Sequence, residues 1–318
     1  FLPLPCINYA RFIFQVKQGI MISVMPLEIK QKEPLSKHTT FAIGGPAKYF
    51  AVAKTKEEVL EAIGFAESKK LPFFLLGGGS NILINDAGYE GLIIKIQIGG
   101  VKTDGNRITA GAGILLSQLV NESANYGLSG LEWAVGIPGT IGGAVNGNAG
   151  AYGRSVSESV DEITVLAEEG GQWKEKKYSN KDCRFEYRKS KFKHLANREI
   201  ILEASLNLQK SDTEKVRGEI RNTILQRKGK IPAQPSAGCV FKNIKKDGQL
   251  VAAVGKLVEE CGLKGVKSGG AEIPNLHGNY IVNTGGAKAE DVVRLINLCK
   301  QKVKDRFNLE LEEEIIVM

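Results

Sequence analysis

Three separated segments carry side chains that could perform acid–base or anion-binding chemistry. The first is Arg184-Phe-Glu-Tyr-Arg-Lys-Ser190, where arginines stand beside aromatic residues. An arginine held in place by aromatic packing could bind a carboxylate or stabilise an enolate. Arginine next to aromatic residues is also common on protein surfaces, so a purely structural interpretation of this segment stays open.

The second segment contains a cysteine among small residues. Ser236, Ala237 and Gly238 precede Cys239, so a ligand could approach its sulfur closely. A thiol has an ordinary pKa of about 8.5 and gives up its proton far more readily than a serine hydroxyl does. Cys239 is therefore a candidate proton donor. The alternative is a buried cysteine with a structural role.

The third segment is acidic and ends the chain. Alternation predicts a terminal strand, Leu309–Val317, with apolar residues on one face and Glu310, Glu312 and Glu314 on the other. Glu314 directly precedes two isoleucines, and burial beside them could raise its pKa towards that of a working acid. A solvated acidic edge strand that prevents unwanted pairing is the alternative.

Two glycine-rich stretches could supply the walls of a ligand site. Gly77-Gly-Gly-Ser-Asn81 follows an apolar strand, where backbone amides often bind phosphates. The stretch is not a dinucleotide fingerprint, because Ile82 stands in place of its third glycine, and it lacks the lysine of a phosphate-binding Walker loop. A plain tight turn is the alternative.

The second glycine-rich stretch, Gly136–Gly153, holds seven glycines and has no charged residue. An interior glycine weakens a helix or a strand by ~0.5–1 kcal/mol relative to alanine, so we expect neither element there. Flexible linkers are usually more polar than this stretch, in which isoleucine, valine and tyrosine are interleaved. We interpret it as the wall of a site for a flat or phosphorylated ligand.

Strands and helices alternate from residue 26 onward and must position these segments. Apolar periodicity, capping boxes (Thr55 with Glu58, Ser211 with Glu214) and glycine stops predict the helices Thr55–Lys70, Leu115–Tyr126, Ser211–Lys228, Gln249–Cys261 and Ala289–Phe307. The predicted strands are Phe73–Leu76, Leu92–Ile96, Ile163–Leu166 and a half-buried strand, Ile200–Leu208. Residues 99–109 are typical of a hairpin.

Composition limits the class of protein. The chain has 318 residues, 42% hydrophobic and 25% charged, with a net charge of +8 that suits anionic ligands. No basic run interleaves with aromatic residues, so nucleic-acid binding is a minor hypothesis. Five widely spaced cysteines and three histidines form no metal-binding set, and they indicate free thiols in a reducing compartment.

The first 25 residues do not fit the rest of the chain. Their apolar residues are too few and too interrupted to span a membrane, and no export cleavage site follows them. We expect an upstream extension that is disordered or loosely packed, with Met21 or Met25 as the natural start.

The order of the motifs resembles that of the UDP-N-acetylenolpyruvoylglucosamine reductase family. The resemblance runs from Met25 to Met318, and the residues after Tyr187-Arg-Lys-Ser resemble the second structural type of the family. It rests on Thr40-Phe-Ala-Ile-Gly-Gly-Pro-Ala, Leu76-Gly-Gly-Gly-Ser-Asn-Ile-Leu, Ile137-Pro-Gly-Thr-Ile-Gly-Gly, Asn148-Ala-Gly-Ala-Tyr-Gly, Tyr187-Arg-Lys-Ser, Ala237-Gly-Cys-Val-Phe-Lys-Asn and Leu311-Glu-Glu-Glu-Ile.

The resemblance implies an α+β fold and a cytoplasmic enzyme of peptidoglycan synthesis. A two-part FAD-binding domain of the PCMH/vanillyl-alcohol-oxidase type would occupy residues 26–100 and 101–210, and a C-terminal α+β substrate-binding domain residues 211–318. With NADPH and non-covalent FAD, the enzyme would reduce UDP-N-acetylenolpyruvoylglucosamine to UDP-N-acetylmuramate. The implied protein is a monomer that binds neither nucleic acid nor a membrane.

Residue roles follow from the same resemblance. Arg188 would stabilise the enolate through the substrate carboxylate, and Glu314 would help to polarise the substrate. Hydride would pass from flavin N5 to C3, and Cys239, where the family usually has serine, would donate a proton to C2. The implied FAD-binding residues are Gly77, Gly78, Gly79, Ser80, Asn81, Ile82, Gly142, Gly143 and Asn148. The implied substrate-binding residues are Tyr152, Arg227, Lys230, Asn243 and His277.

The chain departs from the family pattern at two further positions. Ala42 replaces an arginine, and Ile316 replaces a basic residue, so flavin or diphosphate contacts are in question there. One alternative is an FAD oxidase or dehydrogenase of the same flavin-domain superfamily that acts on another substrate. Another is a non-catalytic protein that binds a nucleotide sugar or a nucleic acid.

Overall fold

The computed structural model describes residues 26–193, 199–246 and 249–318. The expectations for the first 25 residues lie outside this described part. Six α-helices lie within it: Lys56–Ser68 (α1), Leu116–Asn125 (α2), Ile141–Gly147 (α3), Thr213–Arg227 (α4), Val254–Glu260 (α5) and Ala289–Phe307 (α6).

Three larger sheets form the framework. The first has the spatial order Ile29–Pro34, Pro46–Ala53, Tyr89–Ile96, Phe73–Leu76, and all but its first pair are parallel. The second is antiparallel, in the order Gln172–Ser179, Val160–Glu169, Glu199–Asn207, Arg107–Gly111, Val101–Asp104. The third is antiparallel, in the order Ser236–Cys239, Tyr280–Asn283, Ala271–Glu272, Lys267–Ser268.

Short strand pairs connect this framework. The antiparallel pairs are Gly150–Ala151 with Arg154–Ser155, Leu128–Ser129 with Gln209–Lys210, and Ile244–Lys246 with Gln249–Ala252. The chain terminus, Ile316–Val317, pairs in parallel with Ile82–Leu83. Because Ile82–Leu83 directly follows the first glycine-rich turn, this pairing brings the acidic terminal segment to that turn.

Three hydrophobic clusters hold the elements together. One packs helices α1 to α4 against the first and second sheets, and the second packs α5 and α6 against the third. The third cluster lies on the first sheet around Phe50, Leu76 and Ile93. Burial of such apolar surface contributes about 25 cal/mol per Å².

Most predicted elements are confirmed. Helix α6 has the predicted bounds, and Thr55 caps α1 by accepting the Glu58 N–H at 3.1 Å. Helix α4 is confirmed, but its cap is Asp212 rather than Ser211, because the Asp212 carboxylate accepts the Lys215 N–H at 3.0 Å. The strand Glu199–Asn207 is buried on both faces rather than half-buried, since side chains from both faces, such as Ile201 and Leu202, belong to the first hydrophobic cluster.

Three predictions of secondary structure are wrong. The predicted helix over residues 249–261 begins only at Val254, because Gln249–Ala252 pairs as a strand. The terminal strand is confined to Ile316–Val317, and the residues before it run beside Val240–Lys242. The glycine-rich stretch, expected to lack regular structure, contains helix α3, which Thr140 caps by accepting the Gly143 N–H.

Candidate active site

Arg188 lies at the tip of a tight turn that the glycine-rich helix α3 holds in place. Glu186 and Lys189 exchange two backbone hydrogen bonds of 3.1 Å across the turn, and Arg188 adopts a left-handed φ of 57°. The carboxamide of Asn148, the residue that ends α3, donates to the Glu186 carbonyl at 2.8 Å. The Ser190 hydroxyl donates to the Asn146 carbonyl at 2.7 Å. The position of Arg188 therefore depends on α3.

Arg188 forms an ion pair with Glu314. Its Nε lies 2.9 Å from Glu314 Oε1, and the two side chains are only 20% and 16% exposed. The two groups are in direct contact, although the Nε–H group is not aligned with the carboxylate as a regular hydrogen bond. Burial raises the pKa of Glu314, although the positive charge of Arg188 opposes the shift.

Glu314 is fixed by its backbone to both neighbouring segments. Its N–H donates to the Val240 carbonyl at 2.8 Å, which places it beside Cys239. Its carbonyl accepts the Asn81 carboxamide at 3.1 Å. Glu314 thus joins the cysteine strand to the first glycine-rich turn.

Cys239 lies close to both charged residues. Burial, together with the negative charge of Glu314, raises the pKa of its thiol to about 11, and the positive charge of Arg188 opposes the rise. The thiol therefore keeps its proton at neutral pH and can donate it. The structure brings together Arg188, Cys239 and Glu314, the three residues that the resemblance marks as catalytic.

The two glycine-rich stretches meet next to this cluster. The Ser80 hydroxyl donates to the Pro138 carbonyl at 3.0 Å, and a Cβ on Gly78 would lie 2.7 Å from Gly139 Cα. The backbone N–H groups of residues 78–81 have no acceptor within the described part of the chain. Such a row of free N–H groups, on residues that are half-buried apart from the buried Gly79, fits the diphosphate of FAD.

Two of the predicted FAD residues have a packing role in the protein itself. Gly142 lies so close to the second sheet that a Cβ on it would lie 2.9 Å from Ala112 Cβ. The side chain of Asn148 is buried, with its Nδ2 bonded to Glu186 and its Oδ1 accepting the Ser157 N–H. Direct binding of FAD by these two residues, and by Gly143, stays a prediction.

Two of the predicted substrate residues pack against each other. The Arg227 guanidinium lies 5.2 Å from the centroid of the Tyr152 ring, and its Nη2 donates to the Trp133 carbonyl at 3.1 Å. Arg227 Nε is buried without a partner in the described residues, so it could bind an anionic group. The backbone N–H of Lys230 donates to the Arg227 carbonyl at 3.0 Å, and the Lys230 side chain is exposed.

Asn243 and His277 are tied into the protein. The Asn243 Oδ1 accepts the Val254 N–H at the start of α5, and its own N–H donates to the Tyr187 hydroxyl at 3.3 Å. His277 Nδ1 accepts the Asn279 N–H at 3.1 Å, and burial lowers the pKa of the imidazole. Contact of either side chain with a substrate stays a prediction.

Sequence reasoning missed two residues of this site. The ammonium of Lys193 donates to the Arg188 carbonyl at 3.2 Å, and burial lowers the pKa of this amine. Tyr280 pairs with Cys239 across the third sheet. The position of Lys193, five residues after Arg188, could have indicated its role, whereas no local pattern links Tyr280 to Cys239.

Within the described ranges, no helix is both long enough and apolar enough to span a bilayer.

Comparisons with known proteins agree with the motifs. Residues 47–175 match the family model described as FAD binding domain, and residues 230–318 match the one described as UDP-N-acetylenolpyruvoylglucosamine reductase, C-terminal domain. The reductase of that name from Clostridium novyi is 37% identical over 92% of this chain and 92% of its own. The one from Bacillus velezensis is 36% identical over 92% and 94%.

A solved structure gives the same result. The crystal structure of UDP-N-acetylenolpyruvylglucosamine reductase from Thermus caldophilus is 34% identical, with a TM-score of 0.73 over 92% of this chain and 99% of that one. The resemblance and the fold class, with an FAD-binding domain followed by a C-terminal reductase domain, are therefore confirmed. With this identity over nearly all of its length, the chain belongs to the UDP-N-acetylenolpyruvoylglucosamine reductase family of flavin-dependent oxidoreductases.

Proposed function

We propose that this protein uses NADPH and FAD to reduce UDP-N-acetylenolpyruvoylglucosamine to UDP-N-acetylmuramate in the cytoplasm. The observation that carries the proposal is the convergence of Arg188, Cys239 and Glu314 beside the glycine-rich turn. A cation, a protonated thiol and a carboxyl group of raised pKa are what reduction of an enolpyruvyl carboxylate requires from a protein.

The cofactor site consists of the turn at residues 77–82 and its contacts with residues 138–143. The free N–H groups of this turn would bind the FAD diphosphate, and the lack of side chains leaves room for a flat ring. FAD held by these residues would supply the hydride for the vinyl carbon C3, with NADPH as the source of reducing equivalents.

Arg188 binds the carboxylate of the substrate. Its guanidinium is held by the turn and by the ion pair with Glu314. Negative charge that develops at C2 is delocalised into the substrate carboxylate, where a fixed cation stabilises it most.

Cys239 supplies the proton to C2. The S–H bond breaks, a C–H bond forms at C2, and the negative charge moves to the sulfur. Glu314 keeps Arg188 in place and, because its pKa is raised, offers a carboxyl group that can itself carry a proton near the substrate.

FAD and the substrate are bound by different parts of the chain. We propose residues 26–100 and 101–210 as the two parts of the FAD-binding domain, and residues 211–318 as the substrate-binding domain. The first two sheets and the third fall within these ranges. Val216 and Ile220 of α4 join the cluster under the second sheet, so α4 packs on the FAD side of the boundary. We further propose that the protein acts as a monomer.

Separate measurement of the two half-reactions tests the mechanism. In an anaerobic stopped-flow experiment with Cys239→Ala, NADPH should reduce the flavin at the normal rate. Reoxidation by UDP-N-acetylenolpyruvoylglucosamine should slow by about 10²–10⁴-fold, the usual contribution of a positioned acid. Cys261→Ala, which removes a half-buried thiol from the C-terminal core, is the matched control. Unchanged reoxidation in Cys239→Ala would show that another group donates the proton.

A further inference from the structure

Tyr280 stands directly opposite Cys239 in the third sheet. The two residues are Cα partners in the antiparallel pair formed by Ser236–Cys239 and Tyr280–Asn283. Side chains of directly opposed residues project from the same face, with Cβ atoms about 4.5–5.5 Å apart. This pairing places the phenol hydroxyl and the thiol close enough to interact electrostatically.

A neighbouring ring restricts the Tyr280 side chain. The His277 ring packs against it edge-on, with ring centroids 4.9 Å apart, and His277 is itself fixed by the Asn279 N–H. Burial raises the pKa of Tyr280, so its hydroxyl keeps its proton at any physiological pH. Beside a thiolate, this hydroxyl can only donate.

The charged groups around the Cys239 sulfur make a neutral hydrogen-bond donor such as the Tyr280 hydroxyl important. Glu314 faces Cys239 and disfavours a thiolate, whereas Arg188 favours one. Arg227 is the cation that acts on Tyr280. After Cys239 has given up its proton, a buried negative charge remains beside a carboxylate, and the Tyr280 hydroxyl is a neutral donor placed to stabilise it.

We propose that Tyr280 is a positioning residue for Cys239: its hydroxyl donates to the sulfur, leaves the S–H bond free to point at the substrate, and stabilises the thiolate that remains after proton transfer. The phenol proton stays on oxygen throughout, and the thiolate regains a proton from water. This inference rests on the proposed role of Cys239.

Alkylation of Cys239 tests the inference independently of turnover. In the oxidised holoenzyme, the rate of carboxamidomethylation of Cys239 by iodoacetamide would be followed across pH by mass spectrometry of its peptide. Tyr280→Phe should raise the pKa of the thiol and slow alkylation severalfold at a fixed pH below it, because the thiolate loses a hydrogen-bond donor. Tyr89→Phe, which removes a half-buried hydroxyl from the first sheet, should change neither property.

The half-reactions supply the second readout. In Tyr280→Phe, flavin reduction by NADPH should be normal and reoxidation by the enolpyruvyl substrate should slow about 10- to 100-fold, as for a lost hydrogen bond to a charged group. In the Cys239→Ala background, Tyr280→Phe should have no further effect, because the residue acts through the sulfur.

The outcomes separate the inference from the proposed function. If Cys239→Ala abolishes reoxidation but Tyr280→Phe alters neither alkylation nor reoxidation, the role of Tyr280 is refuted and that of Cys239 stands. If Cys239→Ala leaves reoxidation intact, the proposed proton donor is wrong, and the catalytic part of this inference fails with it. An equal loss caused by Tyr280→Phe with and without Cys239 would also refute the inference, since the tyrosine would then act directly.

Discussion

Replacement of Glu314 by glutamine tests whether the attraction of its carboxylate to Arg188 outweighs the cost of burying that carboxylate. Two unit charges 2.9 Å apart attract by about 6 kcal/mol at an effective dielectric constant of 20. On that energy alone, Glu314→Gln would lower the thermal midpoint by roughly 10 °C or more. Burial of the carboxylate opposes this attraction, and the pKa of Glu314 is raised, so burial is the larger effect.

The raised pKa of Glu314 determines whether Glu314→Gln gains or loses stability. A carboxyl group whose pKa is raised in the folded protein stabilises the fold when it is neutral. That contribution is fully present below the pKa of the unfolded chain and is lost as pH rises through the higher pKa of the folded protein. Glutamine mimics the neutral form, so Glu314→Gln should be as stable as the wild type at neutral pH, or more stable. Reoxidation of the flavin by substrate should still slow by about 10²–10⁴-fold.

Calorimetry of the holoenzyme across pH, combined with the two half-reactions, measures both effects. The matched control is Glu310→Gln, which changes a side chain 85% exposed on the same segment and should leave both unchanged. A fall of the Glu314→Gln midpoint by many degrees at neutral pH would refute the reasoning, because the ion pair would then outweigh burial.

Two further predictions concern the backbone that holds the site. Gly79→Ala should destabilise the protein by about 3 kcal/mol or more and weaken FAD retention in gel filtration, since its Cβ would lie 2.1 Å from the His38 carbonyl oxygen. The control is Gly153→Ala, also at positive φ but in open space, which should cost only ~1 kcal/mol. Equal losses of stability in the two variants would contradict the steric argument. Asn148→Gly keeps the left-handed conformation but loses the hydrogen bond to the Glu186 carbonyl, so chemical denaturation should show a loss of about 1–2 kcal/mol and reoxidation of the flavin should slow. Unchanged stability and reoxidation would refute this structural role, and a fall in FAD affinity would support the predicted flavin contact.

Local signals in the sequence predicted much of the fold. Helix α6 was predicted with its observed bounds, because its apolar spacing and its ends agree. The strand Gln249–Ala252 was predicted as helix, since only pairing with Ile244–Lys246 determines its state. Helix α3 was missed because glycine opposes helix formation locally, whereas close packing of Gly142 on Ala112 requires the absence of a side chain.

The site was predicted less completely, for a related reason. Arg188, Cys239 and Glu314 were identified through motifs, and the structure brings all three together. The partners that orient them depend on sheet register and turn packing. The pairing of Tyr280 with Cys239 and the bond from Asn148 to the Arg188 turn therefore left no local signal in the sequence.

The cysteine at position 239 is compatible with proton donation because of its surroundings. An exposed thiol with a pKa of about 8.5 would be a few per cent thiolate at pH 7 and open to oxidation. Burial and Glu314 raise the pKa of Cys239 to about 11, which reduces the thiolate to about one part in ten thousand at that pH. The same environment that keeps the proton on sulfur makes its loss costly, so efficient transfer requires stabilisation of the thiolate as it forms. Arg188 and the Tyr280 hydroxyl are the groups next to the sulfur that can provide it.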